Sequence, residues 1–264
     1  MRCKLCGKDY PENKLSDEHY PAHSVGNDDI VQLDLVAMMD MFMSEDFASE
    51  LKTRVNSGES LNDIADDIFD NRISKPIYPK GRVAKTLCRE CNTFLGKYDE
   101  AYLKFFNIDG DCKAFKGYQI KTKVEVIKSI YGKFLSVPEA NDESFDFLEF
   151  LRNENSMEYK GIWHLYFVKR DYSSDILGLK DMRTGKLEYP EGVVYEMSDD
   201  KFIFNLMNFK KHDCFKMTNI FEILNPNYQI VEGVGEDGGY HAQMLLSSFF
   251  SEMEDNEENY GNNE

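Results

Sequence analysis

The chain predicts an α+β fold: an N-terminal domain held by two distant cysteine pairs, a helical segment inserted into it, and a C-terminal α+β module. Three observations carry this reading. Cys3-x-x-Cys6 and Cys88-x-x-Cys91 stand far apart, each beside turn-forming or polar residues. The stretch between them shows helical periodicity and capping residues. Beyond residue 143, apolar runs bounded by turn residues suggest strands. The expected boundaries are 1–110 for the first domain, with 27–75 as the helical insert. An accessory α+β domain follows over 111–250, and 251–264 forms an acidic tail whose composition predicts disorder.

Composition narrows the class. The 264 residues are 42% hydrophobic and 30% charged, as in soluble globular proteins. No apolar run is long enough for a bilayer, and MRCKLCGKDY lacks the apolar stretch of a signal peptide. A cytoplasmic protein with no membrane partner is expected. In that reducing compartment the six cysteines are thiols or metal ligands rather than disulfides. The net charge of −17 argues against binding nucleic acid over the whole surface. The charge is uneven, however. Residues 1–70 hold 6 Lys/Arg against 16 Asp/Glu, residues 71–130 hold 13 against 6, and residues 131–264 hold 12 against 26. The one basic block surrounds the second cysteine pair, as a local phosphate-binding surface requires; a solvated helix face is the plain alternative.

The elements follow in order. Residues 1–23 read as a zinc knuckle and a short strand, with Gly7 turning the backbone behind Cys6. Asp28-Asp29 precede the apolar run IVQLDLVAMMDMFM and suit a helix start. A second helix is expected over Phe47–Val55, stopped at Asn56-Ser57-Gly58. Ser60 and Asp63 resemble a capping box before Leu61, Ile64 and Ile68. The methionines from Met38 to Met43 read as core packing rather than a binding groove. Residues 76–85, with two prolines and a glycine, look like a loop. Phe94, Leu95, Tyr98, Tyr102 and Phe105 predict a helix over Asn92–Phe106, in which Gly96 suggests a close backbone contact. Tyr118–Val124 reads as a strand running into a helix, and residues 138–143 as a boundary. Beyond it a helix over Phe145–Leu151 is expected. Strands are expected over 161–169, 175–180, 187–197 and 201–207, with a turn at 183–186 and a last helix over 240–252.

The four cysteines are the strongest chemical signal. Two such pairs together suggest a closed four-thiolate zinc site at Cys3, Cys6, Cys88 and Cys91. Cys112 and Cys214 have no partner at ligand spacing and read as ordinary thiols. His164 reads as a core or edge histidine, and His212 and His241 lack acidic or cysteine partners at ligand spacing. Between the pairs stands Asp17-Glu18-His19-Tyr20-Pro21, and Asn92 follows Cys91 directly.

The order C-x-x-C, E-H-x-P, C-x-x-C-N-x-x-x-G-x-x-D resembles the HNH endonucleases, the zinc-knuckle branch of the ββα-metal nucleases. The likeness covers about residues 1–106. It implies an HNH-like ββα-metal domain, in which a β-hairpin and a helix grip one catalytic ion. It implies His19 as the general base, Glu18 as the acidic ligand of that ion, and Asn92 as its second ligand at the head of the helix. Such an oxygen site suits Mg²⁺ or Mn²⁺; Ni²⁺ or Zn²⁺ would suit if a histidine joined it. The expected partner is DNA, and Lys85, Arg89, Lys97 and Lys104 are candidates for phosphate contacts, each equally readable as a solvated cation. Family analogy implies a phage or bacterial defence setting.

The chain departs from the family in three ways. Only Tyr20 separates His19 from Pro21, where members usually have two residues. No asparagine stands in residues 81–86, where members carry one that orients the base; Thr86 or a backbone carbonyl is the candidate substitute. The insert is long, with room to read DNA, cover the site or bind a protein partner. His23 reads as an exposed loop residue, and Asp99 as stabilising the helix or a nearby base. A catalytically inactive, zinc-stabilised binding protein, acting through a protein partner or as an acidic DNA mimic, is the competing expectation.

Overall fold

A computed structural model describes residues 1–28, 30–170, 184–210 and 216–233. The expected strand at 175–180, the last helix, the acidic tail, His212, Cys214 and His241 lie outside the described residues. The chain divides into two compact units: Met1–Asn27 with the chain from Arg82 onward, and Asp28–Gly81. The division therefore falls around the insert and not near residue 110.

The main unit opens with the first knuckle. Gly7 takes φ +72° and its N–H returns to the Cys3 carbonyl at 2.8 Å, a turn that an L side chain resists. Strand β1 (Leu15–His19) follows. Strict alternation would bury only one of Leu15 and Glu18, yet both are buried. The register against its partner strand shifts between Ser16 and Glu18, which resolves the conflict.

The insert is helical with a small sheet. It comprises β2 (Ile30–Leu33), α1 (Leu35–Phe42), α2 (Glu45–Asn56), α3 (Leu61–Ile68) and β3 (Ser74–Tyr78). The first helix begins later than expected, because residues 30–33 pair antiparallel with β3. Asp34 then caps α1, its Oδ1 accepting from the Ala37 N–H at 3.1 Å. The second helix ends at Asn56, followed by Gly58 at φ +92°. Ser60 caps α3 by accepting from the Asp63 N–H at 3.1 Å. Ile64, Ile68 and Ile73 form the insert's core, with Met38, Met41, Phe47 and Leu51 against them. The methionine run is thus core in part; Met43 is exposed.

Arg82 returns the chain to the main unit. Residues 76–85, expected as a loop, contribute to β3 and to β4 (Val83–Cys88), which pairs antiparallel with β1. Cys88 occupies the N-cap position of α4 (Arg89–Asn107), which buries Leu95, Tyr98, Ala101, Tyr102, Phe105 and Phe106 along one face. After the short α5 (Cys112–Phe115), α6 (Ile120–Lys133) replaces the expected strand. Val124, Ile127, Ile130 and Tyr131 are buried at helical spacing, and so are the residues between them except Glu125. A helix buried nearly all round hides the alternation that separates helix from strand. It packs against α4, where a Cβ on Gly132 would lie 3.3 Å from Leu95 Cδ1. Gly96 has nothing within 4 Å of the equivalent position, so the close approach belongs to α6.

A short helix, α7 (Leu148–Arg152), starts three residues later than expected. Asp146 is used instead in the loop, accepting from the Tyr159 hydroxyl and the Ile162 N–H. The sheet then follows: β5 (His164–Arg170), β6 (Thr184–Tyr189), β7 (Gly192–Ser198), β8 (Phe202–Met207), β9 (Thr218–Asn219) and β10 (Glu232–Gly233). Its strand order is β10-β5-β8-β7-β6, with β9 also on β5. Thr184–Lys186 lies in β6 rather than in a turn. Strand β8 is buried on both faces: Phe202, Phe204 and Leu206 join the main core, while Ile203 and Met207 join a second cluster. The main core is continuous from Cys3 to Tyr228, so the expected accessory domain and the cysteine-stapled domain share one interior. No helix among the described residues is long and apolar enough to cross a membrane.

Candidate active site and cysteine cluster

The two cysteine pairs converge. The sulfurs of Cys3, Cys6, Cys88 and Cys91 lie within 4.8 Å of one another and could hold a metal ion such as zinc. A tetrathiolate zinc with bonds of about 2.3 Å needs sulfurs about 3.8 Å apart. The second pair spans the N-cap and first turn of α4, so helix amides face the sulfurs. The Cys88 N–H donates to Cys3 Sγ at 3.3 Å, which links the two knuckles directly. Burial raises the Cys3 thiol above its ordinary range. Burial also pushes on Cys88, but the Cys91 N–H and nearby hydroxyl and thiol donors outweigh it and bring Cys88 to about 7. Burial likewise raises the Cys91 thiol, with Cys88 and Cys3 adding to it. Ionising all four requires a cation between them, which is the chemistry of a divalent ion site.

The cluster brings β1, β4 and the head of α4 together. His19 ends β1 opposite Val83 and is half-buried. Its ring meets that of His23 edge-on, with centroids 5.4 Å apart. Asn92 lies in the first turn of α4, where its Nδ2 donates to Ser16 Oγ at 3.0 Å and to the Asp17 carbonyl at 3.1 Å. The amide thus ties the helix to the strand that carries His19.

Glu18 has a different environment from the one the motif implies. It is 3% exposed, and its Oε1 accepts from Lys133 Nζ at 2.5 Å. The same ammonium donates to Asp99 Oδ2 at 2.7 Å, and Asp99 Oδ1 accepts from Ser129 Oγ at 2.7 Å. Burial pushes the Glu18 carboxyl upward, and Lys133 offsets only part of that. Burial opposes the charge on Lys133, but Asp99 and Glu18 more than compensate and raise its pKa. One buried cation therefore serves two carboxylates, and separating it from them would cost about 3–5 kcal/mol. A divalent ion on Glu18 would have to share the carboxylate with that ammonium or displace it. Glu18 in this setting does not fit the role of ion ligand, and Asp99 stabilises the helix pair.

Sequence reasoning missed Asn27. It is fully buried; its Nδ2 donates to the Pro21 carbonyl at 2.7 Å and to the Arg82 carbonyl at 3.0 Å, and its Oδ1 accepts from the Arg82 N–H at 2.6 Å. The Tyr20 N–H also donates to the Arg82 carbonyl, at 3.2 Å. Asn27 therefore braces the hairpin end that carries His19. Thr86, the candidate for that work, is hydrogen-bonded to Ser136 instead. Nothing in the sequence singled it out, since the expected insert over 27–75 began with Asn27 itself. Lys133 was missed because lysines are rarely buried.

The basic block does not form one free surface. Lys123 and Lys128 are buried; Lys128 donates to the Asn153 carbonyl at 2.7 Å, and burial lowers its pKa to about 8. Lys97 pairs with Glu154 and lies 3.9 Å from the Phe94 ring centroid. Lys85, Arg89 and Lys104 are exposed. No family model matches the chain, and neither does any curated protein or solved structure.

Proposed function

We propose that this chain is a ββα-type endonuclease that hydrolyses phosphodiester bonds in DNA, on a scaffold stapled by zinc in the cytoplasm. One observation carries the reading: four converging sulfurs join the β1–β4 hairpin to α4, with a half-buried imidazole at the end of β1. Imidazole titrates near neutrality and suits a general base. His19 would take a proton from water as its oxygen attacks phosphorus and the bond to the leaving oxygen breaks. Asn92 would position β1 for this step. The expected Mg²⁺ or Mn²⁺ would supply charge stabilisation, but Glu18 does not fit as its ligand while bound to Lys133. Lys85, Arg89 and Lys104 remain the candidates for phosphate contacts; Lys97 is neutralised by Glu154.

A second reading also rests on the Lys133–Glu18 pair. A zinc-stapled scaffold without hydrolysis, binding a protein partner or presenting its net charge of −17 as a DNA mimic, would need no ion on Glu18. Plasmid incubated with the purified protein in Mg²⁺, Mn²⁺, Ni²⁺ or chelator separates the two. The hydrolytic reading expects cleavage by the wild type and a loss of about 10²–10⁴-fold in His19→Ala. Equal cleavage by both would reject His19 as the base. No cleavage under any metal, with one stoichiometric protein partner captured, would favour the scaffold.

A further inference from the structure

We propose that the cavity beside the first cysteine pair binds a nucleoside 5′-phosphate. The cavity has a volume of about 760 Å³, within the range of small-molecule sites. Four of its lining side chains are cations, Arg2, Lys4, Lys85 and Arg152, and Glu143 is the one acid among its described lining residues. In a chain of net charge −17 this runs against the overall balance.

The hydrogen-bond partners of these cations are neutral, although burial lowers Lys4 to about 8 and the Asp142 carboxylate acts on it. Arg2 Nε donates to the Gly7 carbonyl at 2.8 Å, and Lys4 Nζ to the Ala140 carbonyl at 3.4 Å. Arg152 donates to the Leu5 carbonyl through Nε at 2.7 Å and again through Nη2. These partners are neutral carbonyls, which orient the side chains without cancelling them. Glu143 is itself engaged by the Tyr195 hydroxyl at 2.6 Å. Leu135, Phe145 and Leu148 supply an apolar wall to the same cavity. Cations and apolar carbon lining one cavity match a phosphate joined to a planar base. The source is either a free nucleotide or the 5′-terminal nucleotide of a strand. The proposal does not depend on the hydrolytic reading.

Calorimetry on the zinc-loaded full chain tests it, with AMP, adenosine, inorganic phosphate and a 5′-phosphorylated tetranucleotide as titrants. One AMP per chain is expected, about tenfold tighter than adenosine or phosphate alone. Lys85→Met and Lys4→Met should each weaken AMP about tenfold, with zinc content and circular dichroism unchanged. Tighter binding of the tetranucleotide than of AMP assigns the strand end, and the reverse assigns the free nucleotide. No heat with AMP up to about 5 mM would overturn the proposal, as would AMP binding unaltered in Lys85→Met, an exposed position where folding is not at stake.

Discussion

Asn27 and Lys133 do work that the motif assigns elsewhere. Asn27 satisfies two buried carbonyls and one buried N–H at the hairpin end. Asn27→Ala removes the partner of the Pro21 carbonyl and of the Arg82 N–H, while the Arg82 carbonyl keeps the Tyr20 N–H, and should cost about 1–3 kcal/mol, read as a lower urea midpoint with unchanged slope. A cost within experimental error would mean the brace is not needed. Lys133 is a buried ammonium on Glu18 and Asp99. If it excludes a divalent ion, manganese resonance should detect no ion on the wild type that depends on Glu18. Lys133→Ala should then gain one Mn²⁺ site that Glu18→Gln abolishes. Mn²⁺ bound to the wild type and lost in Glu18→Gln alone would show that the ion displaces Lys133 and would return Glu18 to the ligand set.

Among the elements, α4 and α6 form the framework on which the hairpin rests. Helix α4 was legible because its apolar residues repeat on one face while Lys97, Glu100 and Lys104 occupy the other. Helix α6 was not, because burial on nearly all sides removes the polar face that marks helical period. The short β2 and β3 were hidden for a similar reason: four or five residues carry too little pattern to outweigh adjacent helix and proline signals. The glycines separate the two helices further. Gly96 has open space at its Cβ position, so Gly96→Ala should stabilise by about 0.5–1 kcal/mol through helix propensity alone. Thermal denaturation reads this directly, and a lower Tm would reveal a contact that the geometry lacks. Gly132→Ala has no such freedom, since Leu95 must move to admit it.

At the scale of the molecule, the insert interrupts the hairpin between two residues that hold each other. Asn27 and Arg82, the last and first residues of the main unit around it, are joined by their own hydrogen bonds. Replacing Asp28–Gly81 with a short glycine linker should therefore leave a folded, zinc-binding protein, because a shorter loop lowers closure entropy and removes no contact within the main unit. Loss of zinc or of cooperative unfolding in that variant would show that the insert completes the fold. The sequence by itself determined the cysteine cluster, the helix that follows Cys91, the Ser60 cap and the turn at Gly7, because spacing and backbone preference are local properties. Only the tertiary structure decided that a distant lysine neutralises Glu18 and that Asn27 braces the hairpin end carrying His19. Those pairings join segments 115 and 55 residues apart, and no local pattern records which remote side chains will meet.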